Sequence, residues 1–91
     1  MRLKFLFPLL AGLAVLPVSA DDKAALDAFA AGREQENRRE FLSAADFYLE
    51  AQIQADDPVQ KANALINAAR AFRTARKYGD EFDCLQKLAQ G

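Results

Sequence analysis

The chain has 91 residues, a formal net charge of −1, no His, no Trp and one Cys. A balance this near neutrality gives no electrostatic footprint for nucleic acid or an anionic membrane surface. The lack of His removes the commonest general base and metal ligand. After residue 22 helix formers dominate and the β-branched set is only Ile53, Val59, Ile66 and Thr74, so the expected fold class is all-α.

Met1 to Lys4 is a short positive region, followed by an apolar run from Phe5 to Val18. Val18-Ser19-Ala20 then places small residues at the −3 and −1 positions before Asp21, the pattern of a secretory signal peptide over residues 1–20. The run is shorter than the roughly 20 residues a spanning helix needs, so contact with a membrane is expected only in transit. No Cys stands directly after the run, the only one being Cys84, so a lipoprotein anchor is not expected. The expected location is periplasmic or extracellular. Removing the first 20 of 91 residues leaves 71 residues, one small domain. A domain of that size buries only about 60% of its unfolded surface and has little stability to spare. Ten of the 12 basic residues remain against all 13 acidic ones, a net of −3. With a single Cys no intramolecular disulfide can form, and Cys84 is expected as a small apolar residue on a helix face.

Asp21-Asp22 can cap a first helix, which offers an apolar face of Leu26, Phe29 and Ala30 and a small-residue face of Ala28, Ala31 and Gly32. The polar stretch Glu34 to Glu40 ends it in a turn near residues 38–40. A second helix is expected from Phe41 to about Ala55, with Phe41, Ala44, Ala45, Tyr48, Ala51 and Gln52 at helical spacing. Asp56-Asp57-Pro58 punctuates the chain: Asp57 as N-cap, Pro58 at the first helical position, Gln60 completing a capping box. The third helix is expected from Pro58 to about Lys77, with a stripe of Ala62, Leu65, Ala68, Ala69 and Phe72. Tyr78-Gly79-Asp80 reads as the next turn. The last helix, from Asp80 to about Ala89, carries Phe82, Leu85 and Leu88 at three-residue steps. Four helices with short turns predict antiparallel pairs, about 22–57 and 58–91.

Gly32 and Ala69 are 37 residues apart, as are Phe41 and Tyr78. A constant period of helix–turn–helix units indicates a helical solenoid. At Gly32, Phe41, Ala44, Tyr48 and Ala51, with Pro58 closing the unit, the chain resembles the tetratricopeptide repeat family. The second unit follows at Leu65, Ala69, Phe72 and Tyr78, but Glu81, Leu85 and Leu88 stand where that family has Ala, an aromatic and Ala. The resemblance spans nearly all of residues 21–91 and implies a TPR-like α-solenoid fragment in which the first helix of each unit lines a groove. Carried over by position, Arg33 and Asn37 with Asn63, Asn67, Arg70 and Arg73 would line it and bind an acidic or C-terminal peptide through charge-assisted hydrogen bonds. Two units are few for such an array, since each buries its apolar face on the next. Phe82, Leu85 and Leu88 are therefore expected to be partly exposed.

Nothing in the sequence forms a nucleophile motif, a metal-ligand set or a phosphate loop, so no catalytic residue, metal or cofactor is expected. The function expected is an exported, non-catalytic protein-interaction scaffold, the N-terminal part of a longer repeat protein. The alternative is a small self-associating helical bundle, a homo-oligomer with a structural role in the cell envelope. A groove leaves Arg33, Asn63, Asn67 and Arg70 accessible; a bundle pairs or buries them between copies.

Overall fold

A computed structural model describes residues 19–91. The expected signal segment, as far as residue 18, lies outside the described residues. Those described form four helices: α1 (Ala20–Asn37), α2 (Phe41–Gln54), α3 (Pro58–Thr74) and α4 (Tyr78–Gln90). No strand occurs among them. Each helix packs on the one before it, and α1 also meets α3 along one edge. Turns this short force consecutive helices into alternating directions.

Local chemistry sets the boundaries. Ser19 caps α1, its hydroxyl accepting the Asp22 N–H at 3.0 Å, while Asp21 and Asp22 occupy the first turn where the helix dipole favours carboxylates. In the uncleaved chain the cap is therefore Ser19; a chain that begins at Asp21 lacks it and opens the helix on the Asp pair. Helix α1 ends in a left-handed residue, Arg39 (φ 64°), with the Glu40 N–H donating to the Gln35 carbonyl at 2.9 Å and the Arg39 N–H to Glu36 at 2.9 Å. This is a Schellman closure made without glycine. Helix α3 ends the same way at Arg76 (φ 63°), with Lys77 N–H to Phe72 carbonyl at 2.8 Å and Arg76 N–H to Arg73 at 2.9 Å. Arg39 and Arg76 are 37 residues apart, so the period read from side chains is also a period of the backbone.

The second closure corrects two expected boundaries. Helix α3 stops at Thr74, short of Lys77, and Tyr78-Gly79-Asp80 is the first turn of α4, not the loop before it. The chain turns at Arg76 because the Lys77 N–H bond back to Phe72 satisfies an orphan carbonyl that glycine two residues later could not reach. Between α2 and α3, Asp57 caps as expected, accepting the Val59 N–H at 3.0 Å, and Pro58 takes the first helical position. Gln60 does not complete a capping box. The Asp57 N–H donates to Asp22 of α1 at 3.2 Å instead, and the Asp56 N–H donates to the same oxygen at 2.8 Å. One carboxylate therefore straps the start of α1 to the α2–α3 turn. These two backbone donors hold the Asp22 carboxyl below its ordinary pKa.

The core is built on alanine, with Ala44, Ala45, Ala68 and Ala71 wholly inaccessible and Tyr48, Leu65 and Phe72 filling the space they leave. A smaller cluster of Ala28, Ala51 and Ala64 joins α1, α2 and α3. Alanine lets helix axes approach closely, and large residues then fit only where a small one faces them. The tightest case is Gly32, whose backbone lies against the Tyr48 ring. In α4, Phe82 and Leu85 are exposed and Leu88 half-buried, in line with the partial exposure expected of them, while Glu81 and Cys84 face the protein. Cys84 is buried, as expected, and burial pushes its thiol pKa up. Charged Glu81 is tolerated inside because Arg73 donates to it at 2.7 Å.

Candidate interaction face

The edge where α1 meets α3 carries two matched stripes. Leu26, Ala30, Arg33 and Asn37 follow one another up α1 at steps of four, three and four; Asn63, Asn67, Arg70 and Thr74 do the same up α3. The two sets are related by the 37-residue period. Helical geometry puts each set on a single face.

Glu36, Tyr48 and Arg70, one residue from each of the first three helices, lock this edge. Arg70 forks onto Glu36 with contacts of 2.8 and 3.1 Å, and the Tyr48 hydroxyl donates to Glu36 at 2.6 Å. Burial alone would raise the Glu36 pKa, but the Arg70 and Tyr48 bonds outweigh it and hold the carboxyl below its ordinary value. The Tyr48 phenol is pushed up to about 12, first by burial and then by donating to Glu36. The Phe29 ring packs against the Tyr48 ring in a tilted arrangement, 53° between planes and 5.1 Å between centroids.

Of the six residues predicted to line a groove, Arg33, Asn37 and Asn63 are exposed and make no side-chain hydrogen bond or ion pair among the described residues. Asn67 is half-buried and donates to the Asn63 carbonyl at 2.7 Å. Arg70 is on the edge but already neutralised by Glu36. Arg73 turns away toward α4, where it meets Glu81. The face that remains uncommitted is therefore Arg33, Asn37 and Asn63 beside a largely apolar patch, with Leu26 48% and Ile66 47% exposed. Between the stripes lies a cavity of about 100 Å³ lined by Ala25, Leu26, Phe29, Ala51, Gln60 and Asn63. The Gln60 side-chain oxygen is buried next to it without a partner.

The apolar half of this face, Leu26 and Phe29, and the latch residues Glu36 and Tyr48 escape a groove assignment made from polar residues alone. Leu26 and Asn63 are 37 apart, which is the signal that could have placed Leu26 there. Glu36 sits in a run of charges and carries no such signal.

The geometry defines a small all-helical protein with one mixed polar and apolar face. No family model matches the chain, and no curated protein or solved structure is detectably similar to it.

Proposed function

We propose that this is an exported, non-catalytic interaction module of the tetratricopeptide type, which holds another protein against the α1–α3 face as a scaffold in the periplasm or envelope. The observation that carries this reading is the pair of stripes 26–30–33–37 and 63–67–70–74, side by side. They leave the Arg33 guanidinium and the Asn63 amide free next to exposed Leu26 and Ile66. Such a face fits an extended acidic segment with one apolar side chain. The chain would be anchored by charge-assisted hydrogen bonds at Arg33, and its apolar group would sit near Leu26. Export is supported by the basic, apolar and small-residue order of residues 1–20.

The test is a display of acidic C-terminal peptides against the exported protein, with selected peptides titrated by fluorescence anisotropy. Arg33→Glu should weaken them at least ten-fold and flatten the salt dependence, while Asp46→Arg on the outer face of α2 should not. Equal affinity for Arg33→Glu would refute the face. Arg70→Glu is a poor probe, because it also breaks the contact with Glu36. Mass spectrometry of the exported protein should find Asp21 at its N-terminus; retention of residues 1–20 would refute the processing.

A further inference from the structure

Among the described residues nothing covers the outward face of α4. Tyr78 and Phe82 are each 60% exposed and Leu85 42%, and with Ala89 they form one stripe at steps of four, three and four. The same register on α2, 37 residues earlier, is Phe41, Ala45, Tyr48 and Gln52. There Ala45 and Tyr48 are wholly inaccessible, because α1 and α3 lie over them. The α4 stripe thus has the composition of a core-facing surface and the exposure of an outer one.

The internal repeat also indicates what does not cover it. Helix α3 joins the core with its alanines Ala64, Ala68 and Ala71, all buried. The residues in that register on α1 are Asp27, Ala31 and Glu34. Asp27 is paired with Lys23 at 3.5 Å and Glu34 with Arg38 at 3.1 Å, all four side chains largely exposed. Stacking the α1 of one copy on the α4 of another would push these charges against Phe82 and Leu85, and desolvating them would oppose a head-to-tail array. The α1 end is closed by charge.

We propose that α4 is a self-association face, on which two copies pair α4 against α4, antiparallel, about a two-fold axis. The stripe is complementary to itself in that arrangement. Tyr78 falls opposite Ala89 of the second copy and Phe82 opposite Leu85, so a large residue meets a small one at each end and two large ones meet in the middle. No charge enters the contact: by helical spacing Asp80, Asp83 and Lys87 project from the far side, and Glu81 is turned inward to Arg73. This face is separate from the α1–α3 face, so peptide binding and self-association can fail independently.

The test is sedimentation equilibrium of the exported protein from micromolar to millimolar concentration. A reversible monomer–dimer equilibrium is expected. Phe82→Glu and Leu85→Glu should each weaken it at least ten-fold with unchanged far-ultraviolet circular dichroism, whereas Ile53→Glu, at an exposed site on α2, should leave it intact. Should either Glu variant lose helix, the double variant Phe82→Ala/Leu85→Ala should still weaken dimerisation. A monomer throughout, an open ladder of oligomers, or a dimer indifferent to Phe82 and Leu85 would each overturn the proposal. So would a monomer that pairs only with a helix of another protein.

Discussion

Gly32→Ala sets two effects of known size against each other. Alanine in a helix interior is favoured over glycine by about 1 kcal/mol. The added methyl would lie 2.7 Å from Tyr48 Cε1, 2.8 Å from Cδ1 and 3.1 Å from Cζ. Overpacking a well-filled site costs about 1–3 kcal/mol when the neighbour cannot move. Here it cannot move cheaply. The ring is wholly buried, its hydroxyl is tied to Glu36 at 2.6 Å, and the tilted Phe29 ring lies 5.1 Å away between centroids. The clash should therefore win by about 1 kcal/mol, lowering the melting temperature by about 4–8 °C for a domain of this size. Thermal and urea unfolding followed by circular dichroism at 222 nm would measure it. Ala69 occupies the same register in α3, where the residue matching Tyr48 is outward-facing Leu85, and there alanine is accommodated. Ala69→Gly should accordingly destabilise, so the same pair of residue types costs stability in opposite directions at equivalent positions. A Gly32→Ala protein as stable as the parent would refute the claim that Tyr48 is immobile.

Tyr48→Phe keeps the ring but removes a donor to a charged acceptor, and should cost about 1.5 kcal/mol in urea unfolding, Glu36 retaining Arg70. Because the folded Tyr48 phenol is pushed from 10.0 up to about 12, its contribution is whole below pH 10 and is lost as pH rises from 10 toward 12. Stability measured across that range should fall in the parent and fall less in Tyr48→Phe. Asp22 and Glu36 carry lowered carboxyl pKa values, so their contributions are whole above the ordinary carboxylate range and vanish as pH drops through the folded values. Asp22→Asn should flatten part of that acid limb in urea titrations, and an unchanged limb would refute the strap. Arg39→Gly and Arg76→Gly relieve a left-handed conformation that costs a side-chain-bearing residue about 1–2 kcal/mol. Less the added freedom of the unfolded chain, each should gain up to about 1 kcal/mol in the same assay.

The helices were legible because alanine and aromatic residues recur at helical spacing and Asp57-Pro58 carries its own capping chemistry. The inward stripe of α3 was legible at Leu65, Ala68, Ala69 and Phe72, all buried. The turn at Arg76 was not, since glycine at residue 79 is the local signal for a turn and arginine is not a left-handed residue by preference. The Asp22 strap joins residues 34 and 35 apart and depends on how α1 lies across the α2–α3 turn, which no local pattern encodes. Among the candidate site residues, Arg33 and Asn63 were grouped only through the tetratricopeptide resemblance, and both lie along the α1–α3 edge. Whether a cation is free or neutralised depends on long-range partners, and Glu36 and Glu81 decide it for Arg70 and Arg73.

The second unit departs from the first at Glu81, Leu85 and Leu88, and the cause is physical. In the first unit Ala44, Tyr48 and Ala51 are enclosed by a following hairpin, and all three are buried. Around α4 no described helix supplies that enclosure. At the register of Glu36, whose carboxylate reaches forward to Arg70 of the next hairpin, the second unit has Arg73. A carboxylate there would find no described arginine ahead of it. Arginine instead bonds back within its own hairpin to Glu81, at the position Ala44 holds in the first. One register position thus serves once as a latch between hairpins and once as a latch within one. Arg73→Glu should accordingly do more than lose a surface charge. It would strip buried Glu81 of its partner and set a second carboxylate beside it, so in urea unfolding Arg73→Glu should cost more than Arg73→Gln. Equal losses for the two variants would refute the latch within the second hairpin.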